Sequence, residues 1–347
     1  MITQVQEAIT VEKRAVIVAP PGAGKTTIIP LKLLDNPNIN GQIIILEPRR
    51  LAARAAASQM AAILNERIGE TVGFKIKGLT KVSKQTRIVV MTEGILIRMI
   101  QSDPSLSEVG CIIFDEFHER SINSDLGLAL SLQLSEILRS DLRIVVMSAT
   151  LDVGPVSDLL DTKAPIISDG RAYHVNCKYL SRPKSKNDRV WESFSKLVSD
   201  AFEMTEGGIL AFLPGEAEIS TTEKLLEEKL PNAAIIMPLY GSLPFEQQNK
   251  ILEPLKDETL RKVVLSTSIA ETSLTISGIK VVVDSGYTRR SRYDPTSGMS
   301  RLITQKISKA EANQRMGRAG RVAAGWCYRC LLYTSDAADE EDSVDLG

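Results

Sequence analysis

The sequence predicts an α/β protein of two tandem domains, each a parallel sheet flanked by helices. Three observations carry that prediction: short β-branched runs recur along the chain, helix-like segments separate them, and the alternation lapses once before a second series begins. A chain of 347 residues with an apolar fraction of 43% supplies two cores of ordinary size.

Taken in order, the first series is "RAVIVA" from Arg14, "QIIIL" from Gln42, "RIVVM" from Arg87, "CIIF" from Cys111 and "RIVVM" again from Arg143. Runs this apolar fit strands buried on both faces, as parallel strands are. The identical pentapeptides have unlike surroundings, so they read as central strands under one burial constraint and not as a repeat. Small polar groups follow them, "TEG" at 92–94 and "SAT" at 148–150, beyond the carboxyl ends of strands, where open α/β sheets bind ligands. From about Ser168 to Arg189 the pattern gives way to polar and basic residues, read as a domain junction, and His174 within it reads as structural or solvated. The second series is "GILAFL" from Gly208, "AAIIM" from Ala233, "KVVLS" from Lys262 and "KVVVD" from Lys280. The expected bounds are residues 1–168 and 190–333 for the domains and 169–189 for the junction, with an acidic tail over 334–347.

Composition narrows the class. No apolar stretch approaches the roughly 18–20 residues of a membrane span, and "MITQVQEAITVEKR" lacks the basic-then-apolar order of a secretory signal. The expectation is a cytoplasmic protein with no membrane partner. Cys111, Cys177, Cys327 and Cys330 are read as free thiols, because "CYRC" has no second Cys or His pair at zinc-finger spacing. The net charge of −1 hides an uneven distribution: the last thirteen residues hold six of the 43 acids and no base. From Arg289 to Arg321 nine Lys or Arg face two acids, an excess that suits a polyanion or a solvated positive face.

"VIVAPPGAGKTTIIPLKLL" runs from a strand through a Gly-rich turn into a helix, the context a P-loop requires. Gly22 and Gly24 let main-chain N–H groups approach phosphate oxygens, the helix from about Lys25 adds its positive end, and the Lys25 ammonium reaches the β and γ phosphates. Pro21, Ala23 and Thr27 complete the cradle, and Thr26 offers a hydroxyl to Mg²⁺. Ala19 stands where the usual pattern begins with glycine. Buried strands tolerate charge poorly, so Asp115 and Glu116 directly after "CIIF" mark a place where the chain leaves the core and meets a ligand. Asp115, at the end of a strand neighbouring the P-loop strand, is expected to hold magnesium. Glu116 beside it is expected to be a second magnesium carboxylate and is also placed to polarise the attacking water. An acidic first turn of the helix "HERSINSDLGLAL" also puts acids here, but does not account for the P-loop.

At "DEFH", "SAT" and "QRMGRAGR" together the sequence resembles the superfamily 2 helicases, in particular the DEAH/RHA-type group and its bacterial HrpB-type ATP-dependent members. "EPRRLAARAAA" from Glu47, "TEGIL" from Thr92, "FLPGEAEI" from Phe212, "LYGSLP" from Leu239 and "STSIAETSLTISGIKVVVDSG" from Ser266 extend the likeness over nearly the whole chain. Phe117 stands where the name-giving group has alanine, and Ser268 where asparagine is expected.

The resemblance implies two RecA-like domains with ATP and Mg²⁺ between them. His118 then belongs to the catalytic box, Gln314 helps position water, and Arg318 and Arg321 are the fingers that contact the γ-phosphate. Ser148 and Thr150 couple the two activities. Arg49, Arg50, Thr92, Glu93, Gly94 and Thr267 contact single-stranded RNA or DNA, mainly through phosphate and sugar. The stretch "YTRRSRYDPTSGMSRLITQKISK" reads as a β-hairpin around the turn residues Asp294, Pro295, Ser297 and Gly298. In the family such a hairpin projects toward nucleic acid; a plain surface hairpin reads the same way.

The implied function is an ATP-dependent helicase, a monomer translocating on a single strand. The rivals are a nucleoprotein-remodelling ATPase without processive unwinding, a binding module that has lost hydrolysis, and a small-molecule P-loop kinase. Lys25, Asp115, Glu116, Arg318 and Arg321 argue against the module, and the second domain argues against the kinase. Family members carry further C-terminal domains, so the expectation is a fragment whose acidic end is foreign to the family pattern and disordered.

Overall fold

The apolar runs of the first half assemble into one eight-stranded sheet. Its strands are β1 (Arg14–Val18), β2 (Gln42–Glu47), β3 (Val72–Ile76), β4 (Leu79–Lys81), β5 (Ile88–Thr92), β6 (Val109–Phe114), β7 (Arg143–Ser148) and β8 (Ile166–Ile167). The order across the sheet is β4-β3-β5-β2-β6-β7-β1-β8. Neighbours pair in parallel except β3 and β4, which form an antiparallel edge.

The computed structural model describes residues 1–20, 23–149, 153–168, 173–179, 190–271 and 274–330. The chain divides into two units, Met1–Arg171 and Ala172–Gly347. The expected acidic tail and the rest of the junction lie outside the described residues.

Side chains on a strand alternate between faces, and in the first unit both faces are covered. In β2, Ile43 and Ile45 enter a core with Ala53, Ala57 and Met60 of the helix Arg50–Ile63. Ile44 and Leu46 enter the opposite core with Leu128 and Leu132 of the helix Ile122–Ile137. Each fully buried isoleucine or leucine among them contributes about 1.5–3 kcal/mol. The alanine-rich helix has strong intrinsic propensity, and its small side chains let it lie close on the sheet. β3, β4 and β8 escaped the sequence reading for separate reasons: "VGFKI" of β3 is interrupted by glycine and lysine, "LTK" of β4 is wholly exposed, and β8 is only two residues long.

In the second unit β9 (Val175–Tyr179), β10 (Gly208–Phe212), β11 (Ala234–Leu239), β12 (Arg261–Ser266) and β13 (Ile279–Asp284) precede a hairpin, β14 (Tyr287–Asp294) with β15 (Met299–Lys306). β16 (Gly325–Arg329) closes the series. The main sheet runs β11-β12-β10-β13-β16-β9, parallel throughout, over a core that includes Phe194, Ile219 and Leu226. Two parallel α/β sheets flanked by helices are the fold class expected.

One expectation is corrected. The segment read as junction contributes β9, an edge strand of the second sheet. Its half-exposed "VNCKY" carries too little apolar signal for sequence reading, because an edge strand is solvated on one side. The hairpin is antiparallel with Asp294 opposite Met299, matching the turn read from the sequence. No helix among the described residues is long and apolar enough to cross a membrane.

Candidate nucleotide site and its surroundings

Ala19 continues β1: its N–H donates to Ser148 O at 3.0 Å and its methyl is fully buried, so alanine is accommodated where the motif usually has glycine. Gly24 then turns the chain at φ 76, a left-handed conformation that glycine adopts without strain, and N-caps the helix Lys25–Leu33. Thr27 Oγ1 donates back to Gly24 O at 3.3 Å. Ala23 N–H donates to Pro20 O at 3.3 Å. Pro21 and Gly22 lie outside the described residues.

The acids arrive from β6. They do not come from a strand adjacent to β1, as expected: β7 lies between the two, so the end of β7 forms the floor of the site. Thr26 Oγ1 donates to Asp115 Oδ2, and the Glu116 N–H donates to Asp115 Oδ1 at 2.8 Å. Lys25 Nζ lies 3.1 Å from Glu116 Oε2. His118 Nδ1 accepts the Ala149 N–H at 3.2 Å, which ties the "DEFH" box to the "SAT" segment. The neutral ring therefore carries its proton on Nε2, a buried donor with no hydrogen-bond partner among the described residues. Burial holds the His118 pKa below its usual value despite the nearby Glu116. Ser148, at the end of β7, is buried, and Thr150 lies outside the described residues.

Burial pushes the Asp115 carboxyl up to about 6, with Lys25 opposing and Glu116 adding to the shift. A buried carboxylate beside a hydroxyl and a second acid favours a cation. Among the described residues no three His, Cys, Asp or Glu gather into a metal cage. That donor set fits magnesium, which takes one or two carboxylates together with substrate phosphate and water. Glu116 and Arg120 both hold left-handed backbone, φ 49 and 45, on either side of the turn Phe117–Glu119. Strain of this kind, about 1–3 kcal/mol each, persists where packing over-determines the chain. Phe117 supplies packing: it is buried and meets Phe114 edge-on, ring centroids 6.2 Å apart.

The segments expected to hold nucleic acid connect to this turn. Arg49, which N-caps the helix Arg50–Ile63, lies 3.2 Å from Glu119. Thr92 ends β5 and N-caps the helix Glu93–Ser102, which includes Gly94. The Glu93 carboxylate accepts from Ser121 Oγ, the cap of the helix Ile122–Ile137, and burial raises its pKa.

In the second unit Gln314 lies on the helix Lys309–Met316, started by a capping box of Ser308 and Glu311. The sequence reading passed over Arg315, the largest fully buried side chain among the described residues. Its guanidinium donates to Asp284 Oδ1 at 2.8 Å, Tyr287 O at 3.2 Å and Glu271 Oε2 at 3.3 Å, and lies over the Phe212 ring. The available signal was "KVVVD": an acid ending an apolar strand needs a partner, as Asp115 does.

The two residues expected as arginine fingers are engaged within the second unit. Arg318 turns inward, donating through Nε to Glu271 O at 2.7 Å and through Nη1 to Leu274 O. Arg321, less buried, donates to Leu274 O at 2.7 Å and Thr275 Oγ1 at 2.8 Å. The acceptors come from Glu271, Leu274 and Thr275, and either arginine must exchange them to meet a phosphate. Thr267 N-caps the turn Ser268–Ala270. The hairpin is pinned at its base by Arg289–Glu218 at 2.7 Å and Arg290–Glu311 at 2.6 Å. Further out, Arg292 faces Arg301 across the ladder.

Residues 3–159 match the DEAD/DEAH box helicase family, and residues 190–323 match the helicase conserved C-terminal domain. The chain is 44% identical over 325 residues to the ATP-dependent RNA helicase HrpB of Escherichia coli, covering 94% of this chain and 40% of that protein. It is 36% identical to the human ATP-dependent RNA helicase DHX33, covering 96% of this chain and 48% of that one. The crystal structure of the Escherichia coli DEAH/RHA helicase HrpB superposes with a TM-score of 0.89 at 44% identity, covering 96% of this chain and 42% of that one. The chain thus spans less than half the length of these relatives, and the RecA-like architecture expected for each sheet is that of the solved helicase. On matched domains and assembled motifs alike, the chain belongs to the DEAD/DEAH box helicases, and within them it is of the DEAH type represented by HrpB.

Proposed function

We propose that the chain hydrolyses ATP with Mg²⁺ and couples hydrolysis to movement along single-stranded nucleic acid, RNA in the first place. The supporting observation is the convergence of Lys25, Thr26, Asp115, Glu116 and His118 at the carboxyl ends of β1, β6 and β7. Phosphoryl transfer is catalysed mainly by positioning and charge stabilisation, which is what these residues can supply.

Lys25 exchanges Glu116 for the β and γ phosphates, and Glu116, so released, takes the proton of the attacking water. Asp115 and Thr26, with Glu116 as the second carboxylate, would hold Mg²⁺, which would supply charge neutralisation on the phosphates. Pro21, Gly22, Ala23, Gly24 and Thr27 line the phosphate cradle. Gln314, Arg318 and Arg321 are the second unit's contribution, the arginines leaving the carbonyls of Glu271 and Leu274 to do so. Arg49, Arg50, Thr92, Glu93, Gly94 and Thr267 contact the strand. The Arg49–Glu119 and Glu93–Ser121 contacts give nucleic acid a route to the catalytic turn, with Ser148 and Thr150 as further links. RNA is inferred from the relatives, which are named as RNA helicases, and the proposed setting is the cytoplasm, with the chain as a monomer.

ATP turnover with and without single-stranded RNA or DNA tests the proposal, repeated with Glu116→Gln. Stimulated turnover that the variant loses is the expected result; turnover indifferent to both changes sinks it. Displacement of a strand from a tailed duplex then separates translocation from nucleoprotein remodelling.

A further inference from the structure

The strand that escaped the sequence reading brings two thiols side by side. β9 pairs in parallel with β16, and the register sets Cys177 opposite Cys327 and Tyr179 opposite Arg329. Alternation along a strand puts these four side chains on one face. Adjacent strands lie about 4.8 Å apart, inside the roughly 4.4–6.8 Å that Cα atoms span in a disulfide. Arg329, two residues beyond Cys327 on the same face, favours a thiolate at Cys177. Cys327 is buried, whereas Cys177 is half-exposed on the edge strand, so an oxidant from solvent meets Cys177 first.

We propose that Cys177 and Cys327 are a peroxide-sensitive dithiol that closes to an intrachain disulfide bond. The Cys177 thiolate attacks one oxygen of hydrogen peroxide, the O–O bond breaks, and Cys177 sulfenic acid forms with release of hydroxide, which is protonated to water. The Cys327 sulfur then attacks the Cys177 sulfur, the S–O bond breaks and a second water leaves. Two thiols are oxidised by two electrons, and one peroxide is reduced to two waters. Attack by an external dithiol reverses the bond.

The pair sits behind the segment that carries Gln314. Arg329 donates through Nη1 to Tyr179 Oη at 3.2 Å and through Nη2 to Ala312 O at 2.8 Å and Asn313 Oδ1 at 3.2 Å. A neutral disulfide in place of a thiolate removes the negative charge beside that guanidinium. Oxidation therefore reaches the start of "QRMGRAGR" through one side chain.

The test exposes the chain to hydrogen peroxide, alkylates it under denaturing conditions and maps its peptides by mass without reduction. The expected result is a peptide pair joined through Cys177 and Cys327, lighter by two hydrogens, as the major form of Cys177. It disappears in Cys177→Ser and reverts to two alkylated thiols after dithiothreitol. Cys177 recovered as sulfinic acid, both cysteines alkylated after peroxide, or linkage of Cys177 to Cys111 or Cys330 instead would each overturn the proposal. The wild-type map decides the matter even if the variant folds poorly.

Discussion

Among its described residues each unit holds a buried cluster of one cation and two acids, and the two behave as different materials. In the first, Lys25 meets a single carboxylate oxygen of Glu116, and Asp115 takes a threonine hydroxyl. In the second, Arg315 forks across Glu271 and Asp284, adds the carbonyl of Tyr287 and stacks on Phe212. In these two clusters Asp115, directly after β6, and Asp284, at the end of β13, need a partner because water is excluded. Burial and charge count therefore do not separate a working site from a structural tie; exchangeability does. An ammonium on a flexible stem can trade one acceptor for another, whereas a planar guanidinium with several fixed acceptors cannot move without leaving acids unpaired.

Four experiments sharpen or break that comparison. Glu116→Gln is expected to lower ATP turnover by about 10²–10⁴-fold, the usual worth of a general base. Its unfolding free energy should change by less than about 1 kcal/mol, because glutamine keeps an oxygen for Lys25 and removes a like charge beside Asp115. Arg315→Met should do the reverse, costing about 3–5 kcal/mol in denaturant unfolding of the second unit by stranding Glu271 and Asp284. If stability holds and only turnover falls, Arg315 belongs with Lys25 and the distinction fails.

Phe117→Ala is expected to cost about 3 kcal/mol, since it empties core volume beneath the strained turn that aims Glu116. A neutral result in urea unfolding would mean that other contacts set the turn. Smallest is Arg49→Ala, for which we expect the salt slope of single-strand binding to fall by about one, the mark of one lost phosphate contact. An unchanged slope would leave Arg49 as a partner of Glu119 alone. For the thiol pair, hydrogen bonding from Cys327 pulls the Cys177 pKa down to about 6. Thiolate is the form that reacts, so Cys177 alkylation should rise as pH passes upward through about 6 and level off by about pH 8. A rate still climbing at higher pH would mark an ordinary thiol.

Much of the candidate site was legible in the sequence, for local reasons. "PPGAGKTT" declares itself because a glycine-rich turn between a strand and a helix is a property of adjacent residues. "CIIFDE" does so because acids directly after an apolar run are costly to bury unless a ligand or a cation takes them up. Arg318 was legible as a motif member but not as a side chain folded onto Leu274, since the acceptors lie over forty residues away. β9 was missed because half its residues face water. Phe117, read as a departure from the family pattern, is where Phe114 finds an edge-on partner.

By itself the sequence determined the α/β alternation, the central strands, the phosphate loop and the acids after β6. Dihedral preference, burial period and helix starts are written over a few neighbouring residues. Only the tertiary structure decided that β7 separates β1 from β6, that Arg315 meets Asp284 and that Cys177 lies opposite Cys327. Those pairings join distant segments, and their register follows from how the whole sheet buries its two faces, which no local window contains.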